Sequence, residues 1–163
     1  MKKVNCFMVG IFGLVLCINS SAMADNGLAQ GGTMANDSCD KYLTVAEVSS
    51  ALGVDVQKTV TVGGECVYYS NSSGGVVFRV IPKPGFWKVM IDTTARDKNG
   101  EMVSGLGDYA AKSADLDVPH GKVMFCKGDF LVNIKASVSK ETDVDQNIAK
   151  TMSLAKIIAS RIN

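Results

Sequence analysis

Histidine and closely spaced cysteines are almost missing from this chain, and this excludes most metal sites. His120 is the one histidine, and no two of the five cysteines stand in a C-x-x-C spacing. Zinc sites need three or four clustered Cys, His or acidic ligands. The sequence therefore predicts neither a metal site nor a metal cofactor.

The common catalytic motifs are missing as well. The sequence contains no G-x-S-x-G nucleophile elbow and no H-E-x-x-H helix. The G-x-G at Gly105–Gly107 stands outside any β-α-β frame, which favours a tight turn over a phosphate cradle. A thiol pair of Cys126 and His120 is the remaining enzyme hypothesis, although a predicted strand separates the two residues. We therefore expect a protein that is not an enzyme and needs no cofactor.

Long apolar runs are confined to the first 24 residues. Two lysines precede an apolar stretch from Phe7 to Ile18, and Ala22-Met23-Ala24 closes the segment. This layout is typical of a secretory signal peptide, and 12 apolar residues fall short of the roughly 20 that span a membrane. The sequence predicts cleavage after Ala24, a periplasmic or secreted protein, and no transmembrane segment in the mature chain. Lipid attachment at Cys17 is the less favoured alternative, because the bulky Leu16 precedes it.

A strong excess of either charge is also absent. Without residues 1–24, the chain keeps 139 residues, with 15 Lys and Arg against 16 Asp and Glu. A near-neutral chain has no broad electrostatic attraction for nucleic acid or an anionic membrane, so no nucleic-acid partner is predicted. Residues 25–38 are polar and rich in Gly and Asn, which predicts a flexible lead-in. Residues 39–163 are long enough for one domain with its own core.

Three cysteines remain in the mature chain: Cys39, Cys66 and Cys126. An exported protein can form disulfides, and three cysteines allow one bridge in three alternative pairings. A Cys39–Cys66 bridge would tie the start of the domain to its first strong hairpin and leave Cys126 as the odd thiol. The alternative is three buried free thiols, since free cysteine often packs as a small apolar residue.

The sequence patterns predict three helices. Residues 44–52 begin with a capping box of Thr44 and Glu47 and end at Gly53, where a left-handed cap belongs. Residues 143–162 keep a helical spacing of apolar side chains. Residues 85–97 are ambiguous between helix and strand. Phe86, Val89, Met90 and Thr93 fit a helical stripe, and we favour a helix.

Alternating or β-branched runs predict the strands, with Gly or Pro at their ends. These strands fall near residues 54–62, 66–69, 76–81, 109–114, 123–126 and 130–136. Both halves follow the order helix, strand, glycine-turn hairpin, which suggests an αβββ pseudo-repeat. The predicted architecture is α+β, an antiparallel sheet with helices packed on one face.

One set of motifs resembles a bacterial family of small exported proteins, mostly secreted lipoproteins of unknown function. The family is similar in fold to the extracellular sensor domains of membrane Ser/Thr kinases. Its pattern is a cysteine, an LT-x-x-EV-x-x-ALG helix, a C-x-Y strand, a GLGD-x-A turn and a closing helix. Matching residues are Cys39, Leu43-Thr44, Glu47-Val48, Ala51-Leu52-Gly53, Cys66-Val67-Tyr68, Gly105-Leu106-Gly107-Asp108 and Ala110.

The resemblance covers residues 39–162 and implies a Cys39–Cys66 bridge and an α+β sheet with a cleft over it. It implies no catalytic residue. Cys126 departs from the family pattern.

Four aromatic residues are candidates for contact with a ligand or partner. Phe86 and Trp87 follow Pro84-Gly85, where an aromatic pair can line a pocket or an interface, although core packing is the alternative. Tyr68 and Tyr69 are adjacent in a strand, so they point to opposite faces and one of them should be exposed. The sequence thus favours a non-catalytic binding or sensor-like module for an unknown small molecule or envelope protein. An envelope accessory protein that acts through a protein partner is the second hypothesis.

Overall fold

The computed structural model describes residues 39–71, 74–114, 120–138 and 143–163. The predicted leader (1–24) and polar lead-in (25–38) lie outside these residues. The described residues form three helices and seven strands. The helices are α1 (Val45–Leu52), α2 (Trp87–Arg96) and α3 (Val144–Arg161). The strands are β1 (Lys58–Val62), β2 (Glu65–Tyr69), β3 (Gly74–Pro82), β4 (Glu101–Val103), β5 (Tyr109–Ala114), β6 (Gly121–Lys127) and β7 (Phe130–Val138).

All seven strands join one antiparallel sheet in the order β1-β2-β3-β7-β6-β5-β4. The centre is the long β3–β7 pair, which runs from Gly74 opposite Val138 to Pro82 opposite Phe130. The predicted α+β class is confirmed. The short edge strand β4 was not predicted, because its three residues are too few to display a period.

Apart from the extra edge strand β4, the strand order is symmetric about the central pair, as an αβββ pseudo-repeat requires. From β3 outward lie β2 and β1, and from β7 outward lie β6 and β5. A two-fold axis between two antiparallel strands runs perpendicular to the sheet and would keep equivalent helices on the same face. Helices α1 and α2 lie on opposite faces, so the repeat extends to the strands and not to the helices.

One face of the sheet carries the larger part of the core, together with α1 and α3. Its strand residues include Tyr68, Phe78, Phe125 and Ile134, and α3 contributes Leu154 among others. Along β6, Val123 and Phe125 point to this side, while the residues between and beyond them point away. We call this the α1/α3 face.

The opposite face carries a second, smaller core under α2. Its buried residues are Ile91 from α2 together with Ala111, Met124, Cys126 and Leu131 from the strands. The expectation that the helices pack on one face is therefore wrong for α2. Strands β5, β6 and β7 have apolar side chains on both sides, so a second layer is needed to bury the second set. We call this the α2 face.

The predicted cap of α1 is present in full. The Thr44 side chain accepts from the Glu47 amide, the Glu47 side chain accepts from the Thr44 amide, and Gly53 adopts a left-handed conformation. Leu43 and Val48, on either side of the cap, are both fully buried and form a hydrophobic staple. Local sequence thus determines both ends of this helix.

The predicted Cys39–Cys66 pairing is confirmed. The two residues form a disulfide with their Cα atoms 5.7 Å apart, and it joins the turn before α1 to β2. Among the described residues, Cys126 is the free cysteine, and it is buried. In the part of the chain that the structure covers, no helix has the length and apolarity to cross a membrane.

Candidate binding surface

The two adjacent tyrosines of β2 separate as expected, one inside and one outside. Tyr68 is fully buried, stacks on Phe78 with ring centroids 6.0 Å apart, and donates its hydroxyl to the Leu43 carbonyl. Burial is the main cause that raises the pKa of Tyr68. Tyr68 is therefore a core residue, and the prediction that it contacts a ligand or partner is wrong. Tyr69 remains 37% exposed on the α2 face.

Trp87 is part of the second core. It is half-buried in the first turn of α2, and its ring meets Tyr109 edge-on at a centroid distance of 5.7 Å. The Lys83 ammonium lies 5.6 Å from the centre of the Trp87 ring, and the Lys88 ammonium lies 5.5 Å from the centre of the Tyr109 ring. Such cation–π contacts hold both lysines close to the start of the helix. Trp87 thus follows the core-packing alternative and supports the surface around it.

Phe86 has the opposite environment. It occupies the N-cap position of α2 without a side-chain cap hydrogen bond, and it is 64% exposed. Val89, three residues on, is 65% exposed. Residues three apart in a helix share a face, so these two apolar side chains stand side by side. The helical stripe of Phe86, Val89, Met90 and Thr93 predicted the helix correctly. Of these four residues, Met90 packs against the second core and the other three face solvent.

Exposed basic residues lie at both ends of α2, the helix that carries the two exposed apolar side chains. The exposed cations are Lys83, Lys88, Arg96 and Lys98. We name Phe86 and Val89 together with these four residues the α2 ridge. Sequence reasoning identified Phe86 but missed Val89 and the cations. A helical projection anchored on the buried Ile91 and Thr94 would have placed Val89 and Arg96 on the outer side, whereas Lys83 and Lys98 lie outside the helix.

The acidic groups of α2 are engaged elsewhere. Asp92 accepts from the Tyr109 hydroxyl at 2.6 Å, and this bond raises the pKa of Tyr109. Asp97 forms an ion pair with Lys122 at 3.0 Å. Lys122 thus neutralises Asp97, whereas the neutral Tyr109 hydroxyl does not cancel the charge of the Asp92 carboxylate. Asp92 lies one helical turn from both Lys88 and Arg96, so these two cations share their side of the helix with one carboxylate.

Tyr69 lies far from the α2 ridge. Its partner on β3 is Gly75, whereas α2 begins beyond Pro82, at the other end of that strand. At about 3.3 Å per residue, this stretch of β3 measures about 23 Å. The structure therefore brings Phe86 and Trp87 together but keeps Tyr69 apart from them.

Cys126 and His120 are also far apart. His120 precedes β6, and Cys126 is the sixth residue of that extended strand, which separates them by about 20 Å. Cys126 is 1% exposed, and burial raises the pKa of its thiol. Reactive cysteines instead have lowered pKa values and open surroundings. This geometry disfavours the thiol-enzyme hypothesis.

The G-x-G motif is a structural loop. Gly105 and Gly107 both have positive φ, and the amide of Asp108 donates to the Cys126 carbonyl at 2.7 Å. The Asp108 carboxylate accepts from the amide of Gly128 at 2.8 Å. These bonds join the loop before β5 to the turn between β6 and β7, as expected of a tight turn.

An open cleft of about 410 Å³ lies on the α1/α3 face, between the β4–β5 edge and the first half of α3. Its lining consists of Asn99, Glu101, Lys112, Asp145, Ile148, Ala149 and Met152. Glu101 and Lys112 neutralise each other in an ion pair at 2.8 Å. None of the predicted contact residues lines this cleft. Within the described ranges, no three His, Cys, Asp or Glu residues lie close enough to hold a metal ion.

Comparison with protein-family models, with curated proteins and with solved structures finds no significant match for this chain.

Proposed function

We propose that this chain is an exported, non-catalytic binding module of the cell envelope and that it attaches through the α2 ridge. Export rests on the leader-like first 24 residues, and the Cys39–Cys66 disulfide is compatible with an oxidising compartment. The periplasm or the exterior is the expected location, with lipid attachment at Cys17 as the alternative. The sensor-like role implied by the family resemblance belongs to the same proposal.

One observation carries the choice of surface. Phe86 and Val89 expose almost two thirds of their area on a helix whose other side is well docked. Helix α2 needs neither of them for its attachment, because Ile91, Met90 and Trp87 provide that contact. Adjacent exposed large apolar residues are typical of interaction sites. Both side chains protrude from the helix into solvent, which suits an extended partner surface better than a small molecule in a pocket.

Site-specific photo-crosslinking in living cells tests the surface. A photoreactive amino acid at position 86 or 89 should give adducts with an envelope component. The matched control is position 62, where Val62 is 61% exposed on β1 at a distance from α2. Adduct formation at position 62 in equal yield, or none at 86 and 89, would refute the ridge as the binding surface.

The N-terminus and intact mass of the mature protein test export. The mature protein should begin at Asp25, and its intact mass should correspond to residues 25–163 with one disulfide. Recovery of an acylated N-terminal Cys17 would replace cleavage after Ala24 with lipid anchoring.

A further inference from the structure

We infer that the partner of the α2 ridge is an anionic phospholipid surface. This inference rests on the proposed function, since it names what the same surface binds. Three properties of the ridge carry it: exposed apolar side chains, exposed cations that outnumber the carboxylates beside them, and apolar side chains that protrude and do not line a groove.

The apolar part of the α2 ridge is small, which suits shallow insertion into a membrane interface. Phe86 and Val89 project from the outer side of α2 at its first turn, next to Gly85 and Pro82, which are also exposed. A membrane interface accepts isolated apolar side chains of this kind into the headgroup and upper acyl region. Helix α2 has only 10 residues and stays docked on the sheet through Ile91. The contact is therefore peripheral.

The charges complement anionic headgroups. Lys88 is exposed in the first turn of α2 beside the apolar pair, and Arg96 and Lys98 are exposed at the other end of the helix. Lys83 donates to the Gly128 carbonyl at 2.7 Å beside Trp87. Of the acids on or next to α2, Asp97 is paired with Lys122 and Asp92 faces Tyr109. Asp92 and the exposed Asp129 lie among these cations, so four cations face two further carboxylates and the local charge remains positive. The attraction is local, because the chain as a whole is nearly neutral.

The shape favours a lipid surface over a protein. A stable protein interface buries about 800 Å² per partner and centres on anchors held in desolvated pockets. The ridge offers two protruding apolar side chains, and the exposed residue that follows them on the same helix face is the small polar Thr93. A fluid bilayer adapts to such a protrusion, and flexible lysine stems reach phosphate groups from either side.

Vesicle co-sedimentation of the mature exported protein tests the inference. The protein should bind vesicles that contain phosphatidylglycerol and should not bind pure phosphatidylcholine vesicles, and added salt should weaken the binding. The double variant Phe86→Ser/Val89→Ser and the charge reversal Lys88→Glu should each lower the partition coefficient by about tenfold. Val62→Ser, an equally exposed control on β1, should bind like the wild type.

The outcomes separate this inference from the proposed function. If vesicles of neither composition bind while positions 86 and 89 crosslink to an envelope protein, the lipid inference is wrong and the binding module remains. If crosslinks are absent as well, both fail. Binding to anionic vesicles that the ridge variants leave unchanged, with circular dichroism confirming their fold, would also overturn the inference.

Discussion

At the scale of single residues, the loop before β5 contains two glycines, Gly105 and Gly107, that differ in the space available for a side chain. A methyl group on Gly107 would lie 2.3 Å from the carbonyl oxygen of Cys126, whereas one on Gly105 would meet nothing within 4 Å. Both glycines have φ values in the left-handed region, +63° and +76°. The two positions therefore share the backbone cost of substitution but differ in the steric cost.

This difference leads to a paired prediction. Gly105→Ala should lower the free energy of unfolding by about 1 kcal/mol, the usual cost of a left-handed conformation with a side chain. Gly107→Ala should cost about 3 kcal/mol, because the clash with Cys126 must also be relieved. Urea denaturation followed by circular dichroism measures both values. Equal losses would mean that the close approach to β6 does not hold in solution.

Phe86 and Trp87 are neighbours in sequence with opposite surroundings, and their truncations should differ accordingly. Trp87→Ala should lower the free energy of unfolding by about 2–4 kcal/mol, since it leaves a cavity beside Tyr109 and Ile91. Phe86→Ser should change it by less than about 0.5 kcal/mol. Circular dichroism is the appropriate signal, because Trp87 is the only tryptophan. A large loss for Phe86→Ser would mean that Phe86 belongs to the core.

At the scale of elements, α1 was the most predictable part of the molecule. Its cap residues, its staple and its terminal glycine all act within one or two turns, so the local sequence contains the whole signal. The role of Arg161 was not predictable. Its guanidinium group donates to both carboxylate oxygens of Glu47, at 3.0 and 2.5 Å, although the two residues are 114 positions apart in the sequence.

The Glu47 contacts predict a pH dependence of stability. The bond to Arg161, aided by those to Thr44, holds the pKa of Glu47 below its usual value of 4.5. A carboxyl group with a lower pKa in the folded state binds fewer protons there than in the unfolded chain. Its contribution is complete above the unfolded pKa and is lost as the pH falls through the folded pKa.

Glu47→Gln keeps an acceptor for the Thr44 amide but removes the charge opposite Arg161, so it should lower stability by about 0.5–1 kcal/mol at pH 7 and by less at about pH 3. Chemical denaturation at the two pH values measures the difference. The control is Glu101→Gln, which breaks the more exposed ion pair with Lys112. If Glu47→Gln lowers stability equally at both pH values, the ionised Glu47 carboxylate does not contribute the pH-dependent stability assigned to it.

Helix α2 was predicted in type but not in orientation. Its apolar residues occur on both sides, so the sequence pattern alone did not indicate whether Phe86 and Val89 or Ile91 and Met90 face the sheet. The choice depends on the tertiary surroundings. The strands β5 to β7 present Ala111, Met124 and Leu131 on the α2 face, and the Ile91 side of the helix covers them.

At the scale of the whole molecule, the α+β class followed from the periods of the segments, whereas the two-sided core did not. The predicted sheet had helices on one side because strands that alternate, such as β7, indicate only one buried face. In β6, however, the run Val123, Met124, Phe125, Cys126 is apolar without alternation, which is the pattern of a strand covered on both faces. That signal was available and identifies β6 as an inner strand with both faces covered.

The disulfide is the main covalent constraint on this architecture. It closes a loop of 27 residues and ties the turn before α1 to the edge half of the sheet. Cys39→Ser/Cys66→Ser should lower the free energy of unfolding by about 2–5 kcal/mol. Thermal denaturation under non-reducing conditions measures it. As a control, Cys126→Ser removes a thiol outside the bridge and should leave the 39–66 cross-link intact in peptide mapping.

The central β3–β7 pair also has a consequence for how fast the chain folds. Its paired residues lie 48 to 64 positions apart in the sequence, and the strands on either side are connected into one sheet only through this pair. The β3–β7 pair gives the fold a high contact order, so the chain between the two strands must close into a loop before most of the stabilising contacts form. Refolding should take milliseconds to seconds, and the β1–β3 half should gain protection from hydrogen exchange only when β7 has joined it.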